Sequence, residues 1–158
     1  MSEPEFDEGP AEAGPAPFAP PIDWWQLDGA SRSDTVAELS EFTVQLVASY
    51  GLPSSVIAPC WFRHEALVQE LLALFQYRNQ QQFLEVAPPG APLEFHYQLN
   101  MAIARLTSWT KAAGCTEQEH IDTRIPGWVI PGTDATTAYD AAVESHAAKL
   151  LTDNTTTK

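Results

Sequence analysis

Basic residues are scarce in this chain: 8 Lys and Arg stand against 21 Asp and Glu in 158 residues, a formal net charge of -13 at pH 7. Binding nucleic acid by neutralising phosphates needs clustered cations, and these eight are scattered, so no direct contact with nucleic acid is expected. Long apolar runs are missing too. None approaches the ~20 residues that cross a bilayer, and the amino terminus is acidic and proline-rich where a secretory leader would be basic and then apolar. A soluble, cytoplasmic protein with no membrane contact is expected. Cysteine is limited to two residues, which argues against a disulfide framework. The motifs GxxxxGK[ST], GxSxG and HExxH are absent, as is a GxGxxG following a strand, so no enzyme class has a motif in its favour and a non-catalytic protein is expected.

What is present divides unevenly along the chain. Residues 1–21 hold six of the thirteen prolines, five carboxylates and no base. Proline fixes φ and removes a donor, and like charges repel, so this stretch is expected to be a disordered acidic tail. A single helical domain is expected over 22–151, and the polar ending 152–158 is expected to be disordered as well.

Four stretches carry a helical repeat. In the first, Val36, Leu39, Leu46, Val47 and Tyr50 recur at helical spacings, with Ser31 or Ser33 as the capping hydroxyl and Gly51 and Pro53 as the stop. The second runs from about Arg63 to Phe83, with a wide apolar face that includes Leu67, Val68, Leu71, Leu72, Leu74 and Phe75. The third opens at Pro92 and continues through Leu99, Ile103, Leu106 and Trp109 to Gly114. The fourth, from about Asp134 to Leu151, is alanine-rich. Between the last two, an extended loop is expected to lay Trp128 back onto the helices. The fold class is therefore all-α: a small bundle of three to four helices around a central antiparallel hairpin of the second and third.

Cys60 lies four residues before His64, and Cys115 five before His120. Each hairpin helix of roughly 20 residues is ~30 Å long, so antiparallel pairing carries the start of one and the exit of the other to the same pole. Cys60, His64, Cys115 and His120 then compose a candidate Cys2His2 site for structural zinc. His96 falls at the other pole, and His146 has no partner pattern. The simpler reading, preferred on sequence alone, needs no cofactor: two small buried thiols, and histidines that cap helix ends or bond to Glu65, Glu117 or Glu119. A third reading makes Cys60 a reactive thiol beside a helix start.

Trp24 and Trp25 mark where the tail gives way to the domain. Adjacent rings do not easily both point inward, so one of the pair is the candidate partner-binding anchor. The acid pairs Glu38 with Glu41 and Glu117 with Glu119 read as solvated surface.

Residues Ala58-Pro59-Cys60-Trp61-Phe62-Arg63-His64-Glu65-Ala66-Leu67-Val68-Gln69-Glu70-Leu71 resemble the P-C-W-x-R-H-x-x-L-V-x-E-L pattern of small uncharacterised actinobacterial proteins carried on plasmids, integrative elements and phages. Leu93-Glu94-Phe95-His96, Ala104-Arg105-Leu106-Thr107-Ser108-Trp109 and Gly114-Cys115 to Glu119-His120 are similar to further elements of that group, with Phe95 standing where its E-W-H element has tryptophan. The resemblance covers about residues 45–120. It implies an accessory protein of a mobile element and includes the two Cys/His pairs among its motif letters. The expected function is accordingly a non-catalytic interaction or adaptor protein. Its net charge favours a basic protein partner; the alternatives are a domain built around structural zinc and a cysteine-dependent enzyme.

Overall fold

The computed structural model describes residues 20–81 and 87–153. The expected disorder of the leader, up to residue 19, and of the ending beyond residue 153 lies outside the described residues. The architecture is all-α: α1 spans Gly29–Tyr50, α2 Glu65–Gln81, α3 Ala91–Ala113 and α4 Asp134–Asp153, with no strand among the described residues. Thr152 and Asp153 thus extend the last helix past its expected end at Leu151. The chain divides into two compact units between Ile121 and Asp122. The first holds α1 to α3, the second α4.

α1 begins three residues earlier than a Ser31 cap would place it and five earlier than a Ser33 cap. The carboxylate of Asp28 accepts from Ser31 N–H at 2.8 Å, satisfying one of the orphan donors of the first turn, so Ser31 and Ser33 lie inside the helix. That bond, with a second from the Ser31 hydroxyl, holds the Asp28 carboxyl below its ordinary value. At the other end Gly51 takes φ +60 and its N–H bonds Val47 O, a left-handed stop that suits glycine.

α2 and α3 form the antiparallel hairpin. Glu70 of α2 meets Arg105 of α3 in a 2.7 Å ion pair, and His64, just before α2, meets Cys115, just after α3. Moving forward along one helix therefore moves backward along the other. Between them lie Leu67, Val68, Leu71, Leu72 and Leu74 from α2 and Phe95, Leu99, Ala102 and Leu106 from α3, all buried. α1 covers this pair with Leu39, Phe42 and Leu46, and the Phe42 and Phe75 rings sit 5.3 Å apart. Removing this much apolar surface from water is the main stabilising term, about 25 cal/mol per Å².

The inward face of α3 differs from expectation at its carboxyl end. Thr110 is buried and Trp109 is exposed. The Thr110 hydroxyl donates to Val56 O at 2.8 Å, a buried bond that ties α3 to the 52–60 segment. α3 also carries a second apolar face: Leu93, Tyr97 and Met101, spaced by four, are exposed on the side away from the core.

In the second unit the segment before α4 contains a single 3-10 turn, Gly127–Val129. Trp128 is half-exposed and rests on Tyr139 of α4, ring centroids 4.7 Å apart. Thr133 caps α4 by accepting from Thr136 N–H at 3.2 Å. The residue expected to cover the helices thus has its ring contact on the last of them.

Candidate metal centre

Two local structures deliver the four donors. Cys60 and His64 flank a one-turn 3-10 helix, Trp61–Arg63, in which Arg63 N–H bonds Cys60 O at 2.9 Å and His64 N–H bonds Trp61 O at 3.0 Å. The pair is therefore joined by a tight turn, not by the shared α-helical face that a four-residue spacing suggests. His64 O then accepts from Leu67 and Val68 N–H at 2.9 and 3.0 Å, which starts α2 directly behind the imidazole. Trp61 and His64 are buried, and Cys60 is partly exposed.

Cys115 follows Gly114, whose φ of +72 ends α3 with a left-handed turn. The next residues fold back on themselves: the Thr116 hydroxyl accepts from Gln118 N–H at 3.3 Å and Glu119 N–H at 3.0 Å, and Thr116 N–H bonds Glu119 O at 2.9 Å. This places His120 beside Cys115. Ile121 N–H donates to Cys115 Sγ at 3.2 Å, a bond that fixes where the sulfur sits.

The donor atoms of Cys60, His64, Cys115 and His120 all lie within 4.8 Å of one another. Cys60 Sγ is 3.6 Å from His64 Nε2, His64 Nε2 is 3.1 Å from Cys115 Sγ, and Cys115 Sγ is 3.7 Å from His120 Nδ1. The two imidazole centroids are 4.9 Å apart. Zinc with bonds of ~2.0–2.1 Å to nitrogen and ~2.3 Å to sulfur needs donor–donor edges of ~3.3–3.8 Å in a tetrahedron. These three edges fall in or just below that window, and the widest pair closes with a movement of about 1 Å. Two thiolates and two imidazoles form a donor set suited to zinc, whereas magnesium and calcium prefer oxygen ligands. The four residues can hold a metal ion. Burial, followed by the hydrogen bond and charge of Cys115, pushes the Cys60 thiol above its ordinary value of 9.0, because a buried thiolate without a cation is costly.

Separate thiols and capping histidines, the reading preferred on sequence alone, do not by themselves require this convergence. His96 packs edge-on against Tyr50, centroids 6.1 Å apart, away from the centre, and His146 is exposed on α4. The positioning residues Thr110 and Thr116 were not anticipated as such. Thr116-Glu117-Gln118-Glu119 matches the Ser/Thr-x-x-Glu turn signature, and that signal marks where the loop folds.

Of the tryptophan pair, Trp24 is buried under the Arg32 guanidinium, which lies 5.1 Å from its ring centroid, while Trp25 is 70% exposed. Trp25 Nε1 donates to Glu65 Oε1 at 3.0 Å, so the ring is held by α2 with most of its surface in water. Among the described residues no helix is long and apolar enough to cross a membrane. The chain matches no family model, no curated protein and no solved structure.

Proposed function

We propose that the chain is a non-catalytic interaction module whose first unit is fastened by a structural zinc ion on Cys60, His64, Cys115 and His120. The observation that carries this reading is the convergence of four N and S donors, from two segments 51 residues apart, within 4.8 Å. All four tetrahedral positions are supplied by protein, which leaves none open for water or substrate, the arrangement of a structural site. The ion would join the entry of α2 to the exit of α3. Metal analysis of untagged protein tests the proposal. One zinc per chain, lost in Cys60→Ser and Cys115→Ser, is expected; a stoichiometry near zero after purification under reducing conditions with zinc supplied overturns it.

The interaction half of the reading is supported by the exposed ring of Trp25 and the outward apolar stripe of α3, since large exposed aromatics and apolar patches are typical of binding surfaces. A net charge of -13 favours a basic protein partner. The resemblance of residues 45–120 extends this to an adaptor of an actinobacterial mobile element acting in the reducing cytoplasm. A partner recovered by wild-type protein and lost with Trp25→Ala supports it; recovery unchanged by that substitution counts against Trp25 as the anchor.

A further inference from the structure

The zinc reading treats the two cysteines as fixed ligands, but their placement also suits them to redox chemistry. Both sulfurs belong to partly exposed residues, whereas His64 is 3% exposed. Both oxidisable donors thus lie on the partly exposed side of the centre, together with His120. They lie within 4.8 Å of each other, and no other cysteine exists in the chain to compete for pairing. Cys60 is held by its 3-10 turn, while Cys115 follows a left-handed glycine on a loop. Bringing the sulfurs to the ~2.04 Å of a disulfide requires one of the two turns to shift.

We propose that the centre is a peroxide-responsive switch, in which oxidation joins Cys60 to Cys115 and expels the metal. The proposal rests on the zinc reading and adds its regulation. In the first step one thiolate attacks hydrogen peroxide. An S–O bond forms, the O–O bond breaks, and the departing hydroxide takes up a proton to leave as water. In the second step the other thiolate attacks the resulting sulfenic sulfur. The S–S bond forms, the S–O bond breaks, and a second hydroxide leaves as water after protonation. The balance is two thiolates, one hydrogen peroxide and two protons giving one disulfide and two waters, with two electrons passing from sulfur to oxygen.

A disulfide no longer supplies thiolate ligands, so two imidazoles remain and the ion dissociates. His120 then loses its tie to the α2–α3 pole. Because His120 is followed by Ile121, the last residue of the first unit, release loosens the chain where that unit ends. A dithiol reductant with zinc reverses the process.

The test uses the full, zinc-loaded chain treated with hydrogen peroxide. Zinc release is followed with a chromogenic chelator, free thiols by a colorimetric reagent, and linkage by mass spectrometry of tryptic peptides. One zinc released per chain for every two thiols lost, with Cys60 linked to Cys115 within one chain, is expected, and dithiothreitol plus zinc restores the starting state. Zinc retained through the treatment overturns the switch and leaves the metal reading standing. So does zinc lost with sulfinic acid and no Cys60–Cys115 link. A zinc content near zero before peroxide is added overturns both.

Discussion

His64 Nε2 and Cys115 Sγ lie 3.1 Å apart although 51 residues separate them in the chain. The contact exists because α2 and α3 run antiparallel, so that the residue just before one meets a residue just after the other. Each side is fixed locally: a 3-10 turn sets Cys60 against His64, and a threonine-centred turn sets His120 against Cys115. The hairpin core supplies the rigid frame, and the chemistry sits on its tip.

Gly114 is the hinge of the second half-site, and its φ of +72 is a conformation that side chains with a Cβ adopt at a cost of roughly 1–2 kcal/mol. A Cβ there would meet Ile121 Cδ1 at 3.6 Å, an ordinary contact, so the penalty of Gly114→Ala comes from the backbone. The expected result is a destabilisation of about that size together with weaker zinc retention in a competitive chelator titration. Unchanged retention would show that Cys115 does not depend on this turn.

Thr110 ties α3 to the segment that leads into Cys60. Replacing it with valine preserves shape but removes the donor from buried Val56 O, at an expected cost of about 1–3 kcal/mol in denaturant unfolding. Thr110→Ser keeps the hydroxyl and should recover most of the hydrogen-bond contribution. If serine and valine behave alike, the bond is not what holds the segment.

Much of this was legible in the sequence, and the exceptions have identifiable causes. The 3.6 period of α1 to α3 and the stops at Gly51 and Gly114 mark the helices, and antiparallel pairing suffices to carry both Cys/His pairs to one pole. Periodicity cannot choose between Trp109 and Thr110, which are neighbours on the flank of one stripe; the carbonyl of Val56, distant in sequence, decides it. Likewise, the capping hydroxyls of Ser31 and Ser33 compete with Asp28, and Gly29, a poor helix former, hides the earlier start. Spacing alone cannot separate an α-helical Cys-x3-His face from a 3-10 turn, because both bring residues four apart near each other. The stripe of Leu93, Tyr97 and Met101 escaped because a helix with one apolar face is the ordinary case.

Trp25 offers a way to separate stability from binding. Its ring is 70% exposed and makes one side-chain bond, to Glu65. Trp25→Ala should therefore move stability by no more than about 0.5 kcal/mol. Where the ring anchors a partner, the same substitution should weaken affinity by about 2 kcal/mol or more, roughly 30-fold. A parallel loss of melting temperature and affinity would instead assign Trp25 to the fold.

The pH dependence of stability should reverse sign when metal binds. In the metal-free chain, burial and Cys115 raise the Cys60 thiol above its ordinary 9.0. A group raised on folding contributes stability that is fully present below its unfolded value and lost as pH climbs through the folded one. The metal-free protein is therefore expected to weaken on the alkaline side. Zinc requires thiolates and neutral imidazoles, so protons compete with it and the loaded protein should weaken as pH falls from neutrality. Asp28 adds a separate limb to both forms. Its carboxyl is lowered, so its contribution is present above the unfolded carboxylate value near ~3.9 and lost as pH falls through the folded one. Chemical denaturation from pH 2 to 10, with zinc and with chelator, measures all three, the Asp28 limb falling below about pH 4. Parallel curves for the two forms would mean that the cysteines and histidines do not act together on one ion.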